Sequence, residues 1–145
     1  WENVELRNVL DKINARMISK LQGKTLHIDC SPGLMLFSDR YYLETVFTNL
    51  IENGVKYGGQ NIYISCAEDK GALVIVVYDD GCGIPVSESK KIFQRFYRIS
   101  QGDQYDIGGF GLGLYVVKKL VKKLKGKIDL VDPSKAKFSL TFRAV

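Results

Sequence analysis

The chain has 145 residues, enough for one domain with a real hydrophobic core. Apolar residues make up 46% and charged residues 26%, ordinary for a globular protein, and no apolar run approaches the roughly 20 residues that cross a membrane. The net charge of +5 leaves a nucleic-acid partner open, whereas three scattered cysteines with no CxxC pair point to a reducing compartment and against a disulfide framework or a zinc site.

In chain order, Leu6, Val9, Leu10, Ile13 and Met17 recur at helical spacing and predict an opening amphipathic helix. Leu26-His27-Ile28 and Leu34-Met35-Leu36-Phe37 read as short strands around the turn Ser31-Pro32-Gly33. The lone His27 is expected on the first of these, without a catalytic or metal role. Ser38 or Asp39 caps a second helix running to about Tyr57, which Gly58-Gly59 ends. Ile62 to Cys66 and Leu73 to Tyr78 form a strand pair across Asp69-Lys70-Gly71. A short helix is expected over Glu88 to Phe93, a polar loop over Ser100 to Gly109, and a third long helix from about Gly111 to Leu124. Ile128 to Val131 and Phe138 to Phe142 close the chain as strands. The pattern predicts an α+β domain, a mixed and mostly antiparallel sheet with its helices on one face.

Basic residues concentrate between Lys118 and Lys137, where eight lysines face two aspartates. Lys118, Lys119, Lys122 and Lys123 alternate with Leu120, Val121 and Leu124 at helical spacing. They are therefore expected on the solvated back of a buried stripe. No aromatic residues interleave with them as a base-stacking platform requires, so no nucleic-acid partner is expected.

Three clusters carry chemistry. Asp79-Asp80-Gly81-Cys82-Gly83-Ile84-Pro85 follows a β-branched run, so Asp79 ends a buried strand. Burying a carboxylate is costly unless donors reach it. An ionised Asp accepts only, which suits a ligand offering a donor, such as the exocyclic amine of adenine. Gly81 and Gly83 tolerate φ > 0 and let backbone approach a flat ligand. A plain β-turn uses the same residue types.

On the second helix, Asn49, Asn53 and Lys56 fall within about 60° of one another, beside the apolar arc of Leu43, Val46, Phe47, Leu50, Ile51 and Gly54. Amide oxygens are hard ligands suited to Mg²⁺, which draws its remaining ligands from water and substrate phosphates. Lys56 suits a phosphate and Tyr57 the side of a nucleotide, although Asn and Lys are also common on an ordinary helix edge.

Gly108-Gly109-Phe110-Gly111-Leu112-Gly113-Leu114 opens the last long helix, where unhindered N–H groups and the helix dipole favour an anion. A dinucleotide fingerprint needs a strand just before the glycines, and Gln101 to Asp106 is polar and loop-like. No GxxxxGK[ST] occurs, so a P-loop is excluded.

Together these residues resemble the catalytic and ATP-binding domain of bacterial sensor histidine kinases, within the wider group of Hsp90, gyrase B and MutL ATPases. The resemblance covers Val4 to Phe142, with four motifs in the family's order. Asn49 to Tyr57 is similar to the N box, Asp79 to Pro85 to the first glycine box, Phe93-Gln94-Arg95-Phe96-Tyr97-Arg98 to the F box, and Gly109 to Leu114 to the second glycine box. It implies a Bergerat-type two-layer α/β sandwich spanning residues 1–145 as one domain. By position, Asp79 would bind the adenine amine, with Gly81, Gly83 and Ile84 around the base. Asn53 would be the main Mg²⁺ ligand, supported by Asn49. Lys56 and Arg98 would contact phosphates, and Tyr57 would flank the nucleotide. Gly109, Gly111, Leu112, Gly113 and Leu114 would form the phosphate end of a lid running from about residue 98 to 110.

In hydrolytic relatives the position of Asn49 carries a Glu that activates water, and an amide cannot take that proton. The resemblance therefore implies that ATP is held for transfer to another nucleophile. That nucleophile would be a histidine on a dimerising helical hairpin of the same receptor, and a response regulator would act downstream. The hairpin is expected to lie outside this chain, with Trp1-Glu2 following it, so the domain is expected to be a cytoplasmic monomer without membrane contact. An anti-sigma-type Ser/Thr kinase and a degenerate nucleotide-sensing domain are the alternatives. Three positions depart from the family pattern: Phe110 in place of a small or hydroxylated residue, Lys137 in place of a Thr or Ser that often supports the adenine Asp, and Gly54 in place of Ala.

Overall fold

The computed structural model describes residues 1–95, 97 and 113–144. Its elements are β1 (Glu2–Glu5), α1 (Leu6–Met17), β2 (Thr25–Cys30), β3 (Met35–Ser38), α2 (Arg40–Tyr57), β4 (Asn61–Asp69), β5 (Ala72–Asp79), α3 (Gly113–Lys123), β6 (Lys127–Asp132) and β7 (Lys137–Arg143). The main sheet has the order β2-β4-β5-β7-β6, with β2 and β4 parallel and the other pairs antiparallel. The expected α+β sandwich is thus present, its helices on one side of a mixed sheet.

The two periodicities explain this layering. Ile62, Ile64 and Cys66 of β4 and Leu73, Ile75, Val77 and Asp79 of β5 alternate inward, placing one sheet face against the helices. Leu6, Val9, Leu10 and Ile13 of α1 and Leu43, Val46, Phe47, Leu50 and Ile51 of α2 bury the matching stripes. Each fully buried aliphatic side chain contributes about 1.5–3 kcal/mol. Asp39 caps α2, its carboxylate accepting the Tyr42 N–H at 3.1 Å. Gly54 sits where a Cβ would lie 3.0–3.3 Å from the Ile62 side chain, so the helix presses on β4 more closely than alanine allows without adjustment.

Several expectations change. The N-terminal residues form β1, which pairs antiparallel with β3. Glu88 to Phe93 is not a regular helix. A 3₁₀ turn over Val86–Glu88 leads into successive i→i−3 bonds, Lys91 to Glu88 and Gln94 to Lys91, which bury Ile92 without forming a helix. Residues 98–112, which include Arg98, Gly109, Phe110, Gly111, Leu112 and the expected lid, lie outside the described residues, as does Phe96. Of the predicted third helix, Gly113–Lys123 is described. Lys118, Lys119, Lys122 and Lys123 are exposed along it, as a solvated face requires. The fold does bring rings to them: Lys118 lies 5.1 Å from the Phe93 centroid and Lys123 lies 4.9 Å from that of Tyr42.

Candidate functional site

The site is built where the end of α2 meets the turn after β5. Asp79 is the last residue of β5 and is only 8% exposed. Its carboxylate accepts the Gly81 N–H at 2.8 Å, and the Gly59 N–H also supports it. Burial pushes the Asp79 carboxyl above its ordinary pKa, an effect that these two donors and Lys24 oppose and Asp80 reinforces. A carboxylate offers about four acceptor positions. The two backbone donors leave acceptor capacity at a nearly buried group.

Two glycine segments make this possible. A Cβ on Gly81 would lie 2.6 Å from Gly59 N and 2.7 Å from Gly58 C and Cα. A Cβ on Gly58 would meet Asp79 Cγ at 2.7 Å, and one on Gly59 would meet Asp80 Oδ1. The turn and the end of α2 are therefore in backbone contact. Gly58 has φ −87° and ψ −173°, an extended conformation open to any residue. Its role is close packing against Asp79 as much as helix termination. Gly81 likewise serves proximity, whereas Gly83 does adopt the left-handed region, at φ 77°.

The turn is held from two further sides. Asp80 accepts the Asn61 N–H at 2.9 Å and the Asn61 amide at 2.8 Å, and these bonds hold its carboxyl below the ordinary value. Ile84 N–H donates to Pro133 O at 2.7 Å, and a Cβ on Gly83 would meet the carbonyl oxygens of Pro133 and Ser134. The β6–β7 connection thus carries the far side of the turn. Asp132 shapes that connection by accepting the Ser134 N–H at 3.1 Å and hydroxyl at 2.6 Å. The Lys137 ammonium lies 5.3 Å from the Tyr78 centroid.

Along α2, Asn49 donates its side-chain amide to Thr45 O at 2.8 Å, which leaves its Oδ1 as an acceptor. A Cβ on Gly113 would lie 3.7 Å from that oxygen, so the start of α3 approaches Asn49. Asn53 is half-buried, and its amide has no hydrogen-bond partner among the described residues. Lys56 and Tyr57 are exposed at the last turn, beside the Gly58-Gly59 contact. Ile84 and Leu114 pack at the edge of the core, as do Phe93 and Tyr97 of the F-box-like segment. Asn49, Asn53, Lys56, Tyr57, Asp79, Gly81, Gly83, Ile84, Gly113 and Leu114 thus lie along α2, the β5 turn and the start of α3, with α2 in contact with each of the other two segments.

Sequence reasoning passed over Gly58 and Gly59 as packing residues, and over Asn61, Asp80, Asp132 and Lys24. Apart from Asp132, whose partner Ser134 is two residues on, their partners are distant in sequence, so no local pattern marks them.

A family model described as histidine kinase-, DNA gyrase B- and HSP90-like ATPase matches residues 38–145. The sensor protein RprX of Bacteroides fragilis (strain YCH46) is 37% identical over 123 residues, covering 82% of this chain and 22% of that protein. The sensor histidine kinase CpxA of Escherichia coli (strain K12) is 32% identical over 125 residues, covering 86% of this chain and 27% of that protein. Among solved structures, the mycobacterial sensor histidine kinase MprB has the same fold, with a TM-score of 0.83 at 24% identity over 99% of this chain and 97% of that one. The chain belongs to the histidine kinase-, gyrase B- and HSP90-like ATPase family, as the catalytic ATP-binding domain of a sensor histidine kinase. It spans 22–27% of the length of these curated relatives. Among the described residues, no helix is long and apolar enough to cross a membrane.

Proposed function

We propose that this domain binds ATP with Mg²⁺ and positions the γ-phosphoryl group for transfer to a histidine on a separate helical hairpin of the same receptor. The observation that carries the nucleotide reading is Asp79, a nearly buried carboxylate with acceptor capacity beyond its two backbone donors. Adenine offers an amine there, whereas guanine offers an oxygen. Two acceptors facing each other in a buried site discriminate by orders of magnitude.

Asn53 and the free oxygen of Asn49 fit a hard divalent cation. Among the described residues, no cluster of three His, Cys, Asp or Glu side chains competes for it. Such an ion supplies charge neutralisation at the phosphates when it is bound. In this reading Lys56 and Arg98 hold the phosphates, Tyr57 lies along the nucleotide, and residues 98–110 serve as the lid. Gly109, Gly111, Leu112, Gly113 and Leu114 close its phosphate end. Asn49 takes no proton from water, so catalysis rests on positioning. A histidine nitrogen attacks the γ-phosphorus, the bond to the β-phosphate oxygen breaks, and ADP leaves. The full receptor would be a membrane-bound sensor, with this domain in the cytoplasm and a response regulator as its phosphoryl acceptor.

The test is phosphotransfer. The domain is mixed with a separately produced hairpin domain and γ-labelled ATP, and acid-labile phosphohistidine on the hairpin is measured. Label that requires Asn53 supports the proposal. Saturating ATP binding without any label, using the hairpin of the same receptor, overturns it.

A further inference from the structure

We propose that Lys24 is a positioning residue for adenine recognition, drawing the end of α2 onto Asp79 from below. The inference rests on the reading of Asp79 as the adenine acceptor. Lys24 follows a tight turn. Gln22 and Gly23 have φ of 56° and 80°, two consecutive left-handed residues, and the Lys24 N–H closes the turn on Leu21 O at 2.9 Å. The same left-handed pair, Lys70-Gly71, makes the β4–β5 turn, so the geometry is that of a tight turn; what distinguishes this one is the residue it ends on.

What the turn delivers is an ammonium group at the C-terminal end of α2. Lys24 Nζ donates to Val55 O and, at 3.3 Å, to Gly58 O. Both carbonyls are among those that a helix end leaves without internal partners, and a cation there also meets the negative end of the helix dipole. Gly58 is the residue whose Cα faces the Asp79 carboxyl, with no room for a Cβ between them. Lys24 therefore holds one side of the cradle in which Asp79 sits. Gln60 ties the two loops together, its side-chain amide donating to Gly23 O at 2.6 Å while its backbone carbonyl accepts the Thr25 N–H at 3.0 Å.

The lysine also acts on Asp79 by charge. Two charged groups act most strongly on the Asp79 carboxyl: Asp80, which raises its proton affinity, and Lys24, which lowers it. Adenine needs Asp79 as an ionised acceptor. Removing Lys24 should therefore weaken adenine binding and move its acid limit toward neutral pH.

The experiment titrates ADP calorimetrically from pH 5 to 8 into wild type, Lys24→Met, Lys24→Arg and Asp79→Asn, with thermal unfolding run on each. Lys24→Met is expected to bind ADP about three- to tenfold more weakly at pH 7.5. Its affinity should begin to fall at a higher pH than in the wild type, and Lys24→Arg should recover most of both. Equal affinity and an unshifted acid limit in Lys24→Met overturn the proposal, as does a uniform loss at every pH, which is the mark of a merely structural residue. Should Lys24→Met not fold, Lys24→Gln, which keeps a donor without the charge, takes its place, and an unshifted limit there has the same meaning. If the wild type does not bind ADP, or Asp79→Asn binds as tightly as the wild type, the adenine reading itself fails and takes this inference with it.

Discussion

Gly81→Ala is the sharpest perturbation of the site, because the space for one methyl group is occupied by backbone. The new Cβ would lie 2.6 Å from Gly59 N and 2.7 Å from Gly58 C and Cα, where ordinary contact begins at 3.4 Å. The turn and the end of α2 must separate by about 0.8 Å, the difference between 3.4 and 2.6 Å, and neither has a flexible side chain to yield. Overpacking of this kind costs about 1–3 kcal/mol. If nucleotide binding requires the cradle closed, the same free energy appears as roughly ten- to hundredfold weaker ADP binding. Gly71→Ala is the control. Gly71 is left-handed at φ 81° in the β4–β5 turn, with nothing within 4 Å of its Cβ position. It should lose about 1 kcal/mol of stability through backbone strain alone and keep its ADP affinity. Calorimetric ADP titration and chemical unfolding of both variants separate the two effects. Wild-type ADP affinity in a folded Gly81→Ala, or equal loss in both variants, would refute the reasoning.

Other outcomes follow from burial and charge. Burial raises the Asp79 pKa in the folded protein, so its contribution to stability is present in acid and is lost as pH rises through that folded value. Without nucleotide, the wild type should gain stability relative to Asp79→Asn as pH falls from 7 to about 4 in urea unfolding. A difference independent of pH contradicts this. Cys30 and Cys66 are buried, and desolvation raises both thiols, whereas Cys82 is exposed in the turn itself. A thiol reagent should therefore modify one cysteine rapidly in the native protein and all three after unfolding, with ADP slowing the rapid reaction. Rapid modification of two or more native thiols would contradict the burial.

Legibility in the sequence depended on the range of the interactions. The stripes of α1 and α2 were readable because Leu6, Val9, Leu10 and Ile13, or Leu43, Val46, Phe47 and Leu50, repeat within a few residues. The Asp39 cap was readable for the same reason. Asp79 stood out because a carboxylate ends a β-branched run. The closeness of Gly81 to Gly59 had no local mark, since the two are far apart in the chain and meet only after β4 and β5 pair. Lys24 was invisible for the same reason, as its acceptors Val55 and Gly58 lie more than 30 residues on. The expected Glu88–Phe93 helix failed because Ile92 and Phe93 mark burial, which a chain of tight turns achieves as well as a helix. Gly54 changed meaning altogether: a departure from the family pattern in the sequence is, in the fold, the point where α2 rests on Ile62.

The central claim is that the Asp79 turn receives adenine. Its most direct test is calorimetric titration of wild type and Asp79→Asn with ADP and with GDP, at neutral pH and with Mg²⁺ present. The account predicts micromolar ADP binding by the wild type, GDP binding weaker by at least about a hundredfold, and loss of ADP binding in a folded Asp79→Asn. Equal affinity for the two nucleotides, or ADP binding undiminished by the substitution, would contradict it.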